Sequence, residues 1–225
     1  PAYHVVTRLQ ELSPCETFPV IVKPLYEGSS KGIFNDSVVS TWEALRARVA
    51  RVLTRYRQPA LVETFVPGRE FTVALLGNGP EVAVLPLVEI CFAALPPGAL
   101  PVYSYEAKWL WDSVAQPRDI FQCPAAVSPA LADTISRLCR QAFLALGCRD
   151  WCRIDVRLDA TGQPSILELN PLPGILPDPR SHSCFPRAAA AVPLSYTALM
   201  RRVLTLACQR YGLAVEASHK TLSTG

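Results

Sequence analysis

The sequence predicts an α+β fold in which antiparallel strands pack against a small number of amphipathic helices, and three observations carry that expectation. Two alternating runs, CRIDVRL and SILELN, flank the glycine turn DATGQ and read as a β-hairpin. Between Ser128-Pro129 and Gly147, the residues Leu131, Ile135, Leu138, Ala142 and Leu146 recur at helical spacing, with a cap and a proline at the start and a C′ glycine at the end. The apolar run from Phe18 to Val22 ends in Lys23-Pro24 and reads as a buried strand that delivers a lysine at its end.

The remaining elements follow in order. After the small-residue loop Glu27-Gly28-Ser29-Ser30-Lys31-Gly32, Ser40 is the expected N-cap of a helix, with Glu43 completing a capping box. Leu45, Val49, Val52, Leu53 and Tyr56 give that helix one apolar stripe as far as about Arg57. Leu61 to Val66, Glu70 to Leu76 and Val82 to Ile90 are β-like, the last two separated by Gly77-Asn78-Gly79, and together predict an antiparallel meander. Residues 93–124 lack clean periodicity and gather Tyr103, Tyr105, Trp109 and Trp111 around Lys108, the pattern of a long aromatic loop that serves as a lid. Proline and small residues fill 171–193, a last helix covers about Ser195 to Tyr211, and the polar tail after Gly212 is expected to fray.

Composition narrows the function. The chain has 225 residues, which suits one domain or two small lobes sharing a core. Half its residues are hydrophobic and 18% charged, which argues against disorder, while the spacing of the charges leaves no membrane-spanning run. The net charge of +3 comes from 22 basic and 19 acidic residues scattered along the chain, so no polybasic footprint points to nucleic acid or a membrane. Eight dispersed cysteines form no CxxC pair and read as reduced thiols, and no signal-peptide pattern opens the sequence, so a cytoplasmic location is expected.

Chemistry concentrates on the hairpin. Side chains two apart on a strand share a face, so Arg153 groups with Asp155, and Glu168 with Asn170. A hairpin folded symmetrically about Thr161-Gly162 sets Asp155 opposite Glu168 and Arg153 opposite Asn170. Facing carboxylates repel by a few tenths to about 1 kcal/mol, so this face calls for a cation. Two carboxylates and an amide oxygen suit Mg²⁺ beside phosphates, whereas zinc would want His or Cys. A solvated polar hairpin face fits the spacing equally. Lys23 and the loop after it hold the ingredients of a phosphate cradle, although EGSSKG is not a P-loop and such loops are more often plain turns. Glu63 and Glu70 punctuate apolar strands, where they suit a nucleobase edge and a ribose, or ordinary strand-edge charges.

Taken together and in order, FPVIVKP, EGSSKG, LVETFVPGREFTV, YSYEAKWL, LGCRDWCRID, LELNPLPG and SHSCFP resemble the ATP-grasp ligases, specifically the D-alanine–D-alanine ligase family, over roughly residues 18–211. The resemblance implies an α+β ATP-grasp fold, two lobes gripping ATP between antiparallel sheets: residues 18–66 in the smaller lobe, 67–213 in the larger, 1–17 a remnant or linker, 214–225 a flexible tail. It further implies that the family's N-terminal α/β domain is absent and would come from the same gene product or another chain. By position, Lys23 and Lys108 become phosphate ligands, and Ser29 and Ser30 close over phosphate and the first substrate. Glu63, Phe65, Val66 and Glu70 line the adenosine pocket. Asp155, Glu168 and Asn170 hold two Mg²⁺ ions, with Mn²⁺ as an alternative. Arg153 and the Gly174 amide serve the reacting carbonyl, and Ser183 binds the acceptor's carboxylate. The implied reaction joins two amino acids through an acyl phosphate; a homodimer is left open. A ligase of a different amino-acid pair and a non-catalytic nucleotide-binding module are the rival readings.

The chain also departs from the family pattern. Asn170-Pro171-Leu172-Pro173-Gly174-Ile175-Leu176 replaces the usual N-T-x-P-G-M-T, Pro177-Asp178-Pro179-Arg180 is inserted, Trp109 stands where a tyrosine follows the lysine, and Thr64 where a lysine follows the glutamate. Arg180 would pair with a substrate carboxylate or with Asp178.

Overall fold

A computed structural model describes residues 1–14, 17–111, 118, 120–178 and 183–214. A four-stranded sheet comes first in the chain. It comprises β1 (Tyr3–Val6), β2 (Val20–Pro24), β3 (Val38–Val39) and β4 (Ala60–Thr64), in the order β1-β4-β2-β3 with every pair antiparallel. Strand alternation divides its residues: Val20, Val22, Ala60 and Val62 pack beneath helix α1 (Trp42–Tyr56) with Leu45, Val49 and Val52. Ile21, Lys23, Leu61 and Glu63 line a cavity.

The α1 cap lies one residue later than expected. Thr41, extended at φ −136°, accepts the Ala44 N–H at 3.2 Å, which leaves Ser40 outside and Glu43 one position short of a capping box. Residues 1–17 are more than a remnant: Tyr3–Val6 pairs with β4 from Tyr3↔Glu63 to Val6↔Ala60, and Val6 is buried. Only one of the four residues is buried, so its order comes from edge pairing, which no local pattern announces.

The second sheet runs β10-β9-β5-β7-β8, with β6 also paired to β5. These are β5 (Glu70–Leu76), β6 (Ala83–Val84), β7 (Val88–Ile90), β8 (Phe121–Gln122), β9 (Trp151–Leu158) and β10 (Pro164–Asn170). The expected three-run meander is corrected here, because β4 and β5 lie in different sheets and do not pair. Phe65 to Arg69 carries the chain between them, and Gly68 passes so close to β9 that a Cβ on it would lie 2.4 Å from the Leu158 carbonyl oxygen. Pro86, which has no N–H for a ladder, falls between the two short strands that replace the single run Val82 to Ile90.

Both faces of β5 are covered. Phe71, Val73 and Leu75 meet helix α2 (Pro129–Ala145) through Ile135, Cys139 and Phe143, while Ala74 and Leu76 meet α3 (Cys184–Ala190) and α4 (Tyr196–Arg210) through Phe185 and Leu199. Ser128 caps α2 by accepting the Leu131 N–H, and Gly147 takes a left-handed φ of +65°, as expected. The buried stripe of α2 is Ile135-Cys139-Phe143, however, with Leu146 exposed beyond the helix end. Helix α3 was not expected in the proline-rich stretch. Pro186 is its third residue, where the N–H has no intrahelical acceptor, and Phe185, Ala188 and Ala189 anchor it in the core.

The loop expected over 93–124 contains a π-helical turn, Ala107–Trp111, and ends in β8. The described cysteines are free thiols, with Cys139, Cys148, Cys152 and Cys184 buried. Burial pushes Cys139, Cys152 and Cys184 up to about 12, so these thiols stay protonated. Cys15, Arg180, His182 and most of the expected tail lie outside the described residues. No helix among the described residues is long and apolar enough to cross a membrane.

Candidate active site between the sheets

The polar faces of both sheets open onto one cavity of about 760 Å³. Lys23 and Glu63 arrive from the first sheet, Glu70, Arg153, Asp155, Glu168 and Asn170 from the second, and Phe65 and Val66 from the connector between the sheets. Ser29 and Ser30 come from the loop after β2, Lys108 from the aromatic segment, and Gly174 and Ser183 from the two sides of the segment after β10. Every site residue singled out from the sequence therefore lines this cavity.

The hairpin supplies the most tightly bonded part. Asp155↔Glu168 and Arg153↔Asn170 are direct cross-strand pairs, as expected. Nearer the turn the register is one residue different, with Val156↔Ile166 and Leu158↔Pro164, and a bulge between Ile166 and Glu168 makes up the shift. The symmetric fold about Thr161-Gly162 thus holds at the polar end and fails beside the turn. Arg153 Nε and Nη2 donate to the two Asp155 oxygens at 3.0 and 2.8 Å, and Nη2 also reaches Glu168 Oε1 at 3.2 Å. Asn170 Nδ2 donates to the same Glu168 oxygen at 2.9 Å. Burial lifts the Asp155 carboxyl above its ordinary range, Arg153 opposes this, and Glu168 adds to it. The Arg153 guanidinium bonds to both carboxylates.

Opposite the hairpin sits the loop. Ser29 and Ser30 both adopt left-handed backbone, φ 56° and 60°, a conformation that costs a side-chain-bearing residue about 1–2 kcal/mol. Two hydrogen bonds tie it to the aromatic segment: Ser30 Oγ donates to the Tyr103 carbonyl at 2.8 Å, and Trp109 Nε1 donates to the Ser29 carbonyl at 3.1 Å. The segment expected to act as a lid is thus latched to the loop. Lys108 Nζ stands over the Tyr103 and Trp109 rings at 5.8 and 5.7 Å, and burial followed by the Arg153 charge holds its pKa below the ordinary lysine range. Lys23 forms an ion pair with Glu63. On the remaining side, Ser183 Oγ accepts the Leu176 N–H at 2.9 Å and lies beside Gly174, so those two predicted residues also meet.

The sequence reading did not single out the charged lining residue Arg157. Arg157 lies two residues beyond Asp155 on the same strand face, so the period of two that groups Arg153 with Asp155 would have found it.

Residues 5–205 match the family described as D-ala D-ala ligase C-terminus. The chain belongs to the D-alanine–D-alanine ligase family. It is 37% identical over 198 residues to the D-alanine–D-alanine ligase of Bordetella avium, covering 88% of this chain and 56% of that protein. It is 38% identical over 211 residues to an uncharacterized protein of Sinorhizobium fredii, covering 94% and 58%. The fold matches D-alanine–D-alanine ligase from Bacillus anthracis complexed with ATP at a TM-score of 0.69 and 20% identity, over 94% of this chain and 61% of that one. The chain thus spans a little over half the length of the family members it matches.

Within this cavity, the oxygen donors of the hairpin are of the kind a hard divalent cation takes. Asp155 and Glu168 present carboxylate oxygens, Asn170 an amide, and no group of three or more His, Cys, Asp or Glu that could hold a metal occurs among the described residues.

Proposed function

We propose that this chain is the nucleotide-handling part of an ATP-dependent carboxylate–amine ligase that joins two amino acids through an acyl phosphate. The observation that carries the reading is the meeting of Arg153, Asp155, Glu168 and Asn170 on one cavity wall with the Lys23, Ser29-Ser30 and Lys108 groups across from it. Charge balance supports a metal-accompanied polyphosphate: five basic and five acidic side chains line the cavity, so a triphosphate needs cations of its own. Two Mg²⁺ ions, or Mn²⁺, held by Asp155, Glu168 and Asn170 would neutralise phosphate oxygens.

The chain's own groups do the rest. Lys23 and Lys108 bind the phosphates, and the loop at Ser29-Ser30 shields them from water together with the segment latched to it. Glu63, Phe65, Val66 and Glu70 receive the adenosine. A free carboxylate is a poor electrophile, so the first amino acid is activated as an acyl phosphate, and the amine of the second attacks it. Arg153 and the Gly174 N–H stabilise the tetrahedral oxyanion, where one such donor is worth about 3–4 kcal/mol. Ser183 orients the acceptor carboxylate. The names of the relatives make D-alanine the first substrate to try, and a reaction that consumes ATP, in a chain with free thiols, suits the cytoplasm.

Calorimetric titration of the chain with ATP and Mg²⁺ tests binding. Incubation with ATP, Mg²⁺ and a panel of D- and L-amino acids, followed by mass spectrometry for dipeptide and a phosphate assay, tests turnover in the protein as it occurs with any remaining domain. ATP binding without dipeptide from any pair would overturn the ligase reading in favour of a nucleotide-binding module.

A further inference from the structure

Arg157 has no role in the reaction just described, yet it is the most heavily engaged side chain at the end of the cavity where Phe65, Val66 and Glu70 lie. Its side chain is 4% exposed. Nη1 donates to Glu70 Oε2 at 3.0 Å, Nε to the Gly68 carbonyl at 3.1 Å, and Nη2 to the Pro101 carbonyl at 2.5 Å. Cζ lies 4.9 Å from the Phe65 ring centroid and 5.0 Å from that of Phe92. One guanidinium therefore joins the connector between the sheets, strand β5 and the segment that follows β7.

Building on the nucleotide reading above, we infer that Arg157 is the positioning residue for sugar recognition: it fixes the Glu70 carboxylate as the acceptor for ribose hydroxyls and ties together the segments around the nucleoside. Glu70 is buried too, and a buried carboxylate accepts strongly only if a cation keeps it ionised. Burial pushes Glu70 up to about 7; Arg157 opposes this, Asp155 on the adjacent strand β9 and Glu168 on β10 beyond it reinforce it, and Lys23 across the cavity pulls downward. Arg157 alone among these groups bonds to Glu70, through Oε2, and Oε1 makes no hydrogen bond within the described residues. Only a planar fork reaches one carboxylate and two carbonyls while lying close to two rings; a lysine ammonium would supply the charge without that geometry.

The test uses the full chain with Mg²⁺ and measures dissociation constants for ATP, 2′-deoxyATP and inorganic tripolyphosphate. The unaltered chain should prefer ATP over 2′-deoxyATP by about tenfold or more, because a site built to bond a hydroxyl rejects the analogue lacking it. Arg157→Met should weaken ATP by about tenfold, bring ATP and 2′-deoxyATP together, and leave tripolyphosphate within about twofold. Glu70→Gln should do the same, and the double variant should be no weaker than the weaker single one, since both changes remove one interaction. Arg157→Lys, which keeps the charge, should recover part of the sugar preference and serves where the Met variant folds poorly.

Retention of the ATP to 2′-deoxyATP ratio in Arg157→Met, or multiplication of the two losses in the double variant, would reduce Arg157 to a packing element and overturn the inference. If the unaltered chain bound no ATP at all, the nucleotide reading itself would fall; ATP binding with equal affinity for both sugars would overturn only the role of Glu70 and Arg157.

Discussion

The two walls of the cavity are built on different principles. The hairpin wall is made of long paired strands in which each polar side chain is placed by register and bonded to the next, from Asp155 through Arg153 to Glu168 and Asn170. The loop wall has no ladder. Its two serines sit in left-handed backbone and are held by one side-chain donor of their own and one borrowed from Trp109. Strands give precise placement for groups that must converge on one point, whereas a latched loop gives a wall that can open to admit a substrate and close over it. Changes on the hairpin wall should therefore act on chemistry, and changes on the loop wall on binding and closure.

The largest effect is expected on the hairpin. Asp155→Asn and Glu168→Gln should each lower turnover by on the order of 10³-fold or more, because each removes charge needed at the phosphates. Circular dichroism should change little, since the strand ladders remain, while the melting temperature falls in Asp155→Asn because Arg153 loses its charged partner. Full dipeptide formation by either variant would defeat the assignment of this wall to catalysis.

Next comes the base of the loop. Gly32 has φ +80°, and a Cβ there would lie 2.3 Å from Pro24 Cγ, while Arg48 Nη2 holds its carbonyl at 2.6 Å. Gly32→Ala should cost about 1–3 kcal/mol, read as a lower urea midpoint, and should weaken ATP binding with it. An unchanged midpoint would mean that the loop relaxes freely and that its strained serines are not held from below.

The same contrast explains what the sequence made legible. The hairpin's cross-strand pairs follow from a period of two and the position of a glycine turn, so Asp155 opposite Glu168 could be written down before any coordinates. Even there the bulge at Leu167 was invisible, because an extra residue in one strand leaves no mark in the alternation. The separation of β4 from β5 into two sheets was hidden for a related reason: strand propensity fixes a conformation and not a partner. Helix α3 and the edge strand β1 were missed because Pro186 masks a short helix and because Tyr3–Val6 buries a single residue. The fourteen positions named from the family strings all line the cavity, and local pattern alone would not have singled out Gly174 or Ser183.

The latch should show a smaller, cleaner effect. Trp109→Phe keeps the ring beside Lys108 and removes the donor to the Ser29 carbonyl, a loss of about 0.5–1.5 kcal/mol. The expected outcome is a rise of about two- to tenfold in the KM for ATP with kcat little changed, measured by coupled phosphate release. A fall in kcat with KM constant would move Trp109 from the wall that closes to the wall that reacts.

The smallest effect on ATP binding is expected outside the cavity, where Asp150 anchors the start of β9. Its Oδ1 accepts from Asn78 Nδ2 at 2.9 Å and its two oxygens accept from Arg210 at 3.2 and 2.7 Å, which joins the β5–β6 turn to the end of α4. The Arg210 bonds, and then Asn78, hold the Asp150 carboxyl below the ordinary range. A depressed folded-state pKa adds stability above the unfolded value of about 3.9, and that stability disappears as pH falls through the folded value. Asp150→Asn should therefore cost about 1–2 kcal/mol at neutral pH, with the gap to the unaltered chain closing below about pH 4. ATP affinity should be untouched, because the Asp150 contacts lie at the opposite end of β9 from the Arg157 contacts. Loss of ATP binding in this variant at full folding would show that the hairpin wall depends on its far anchor, and would erase the distinction between a wall placed by its ladders and one placed by a latch.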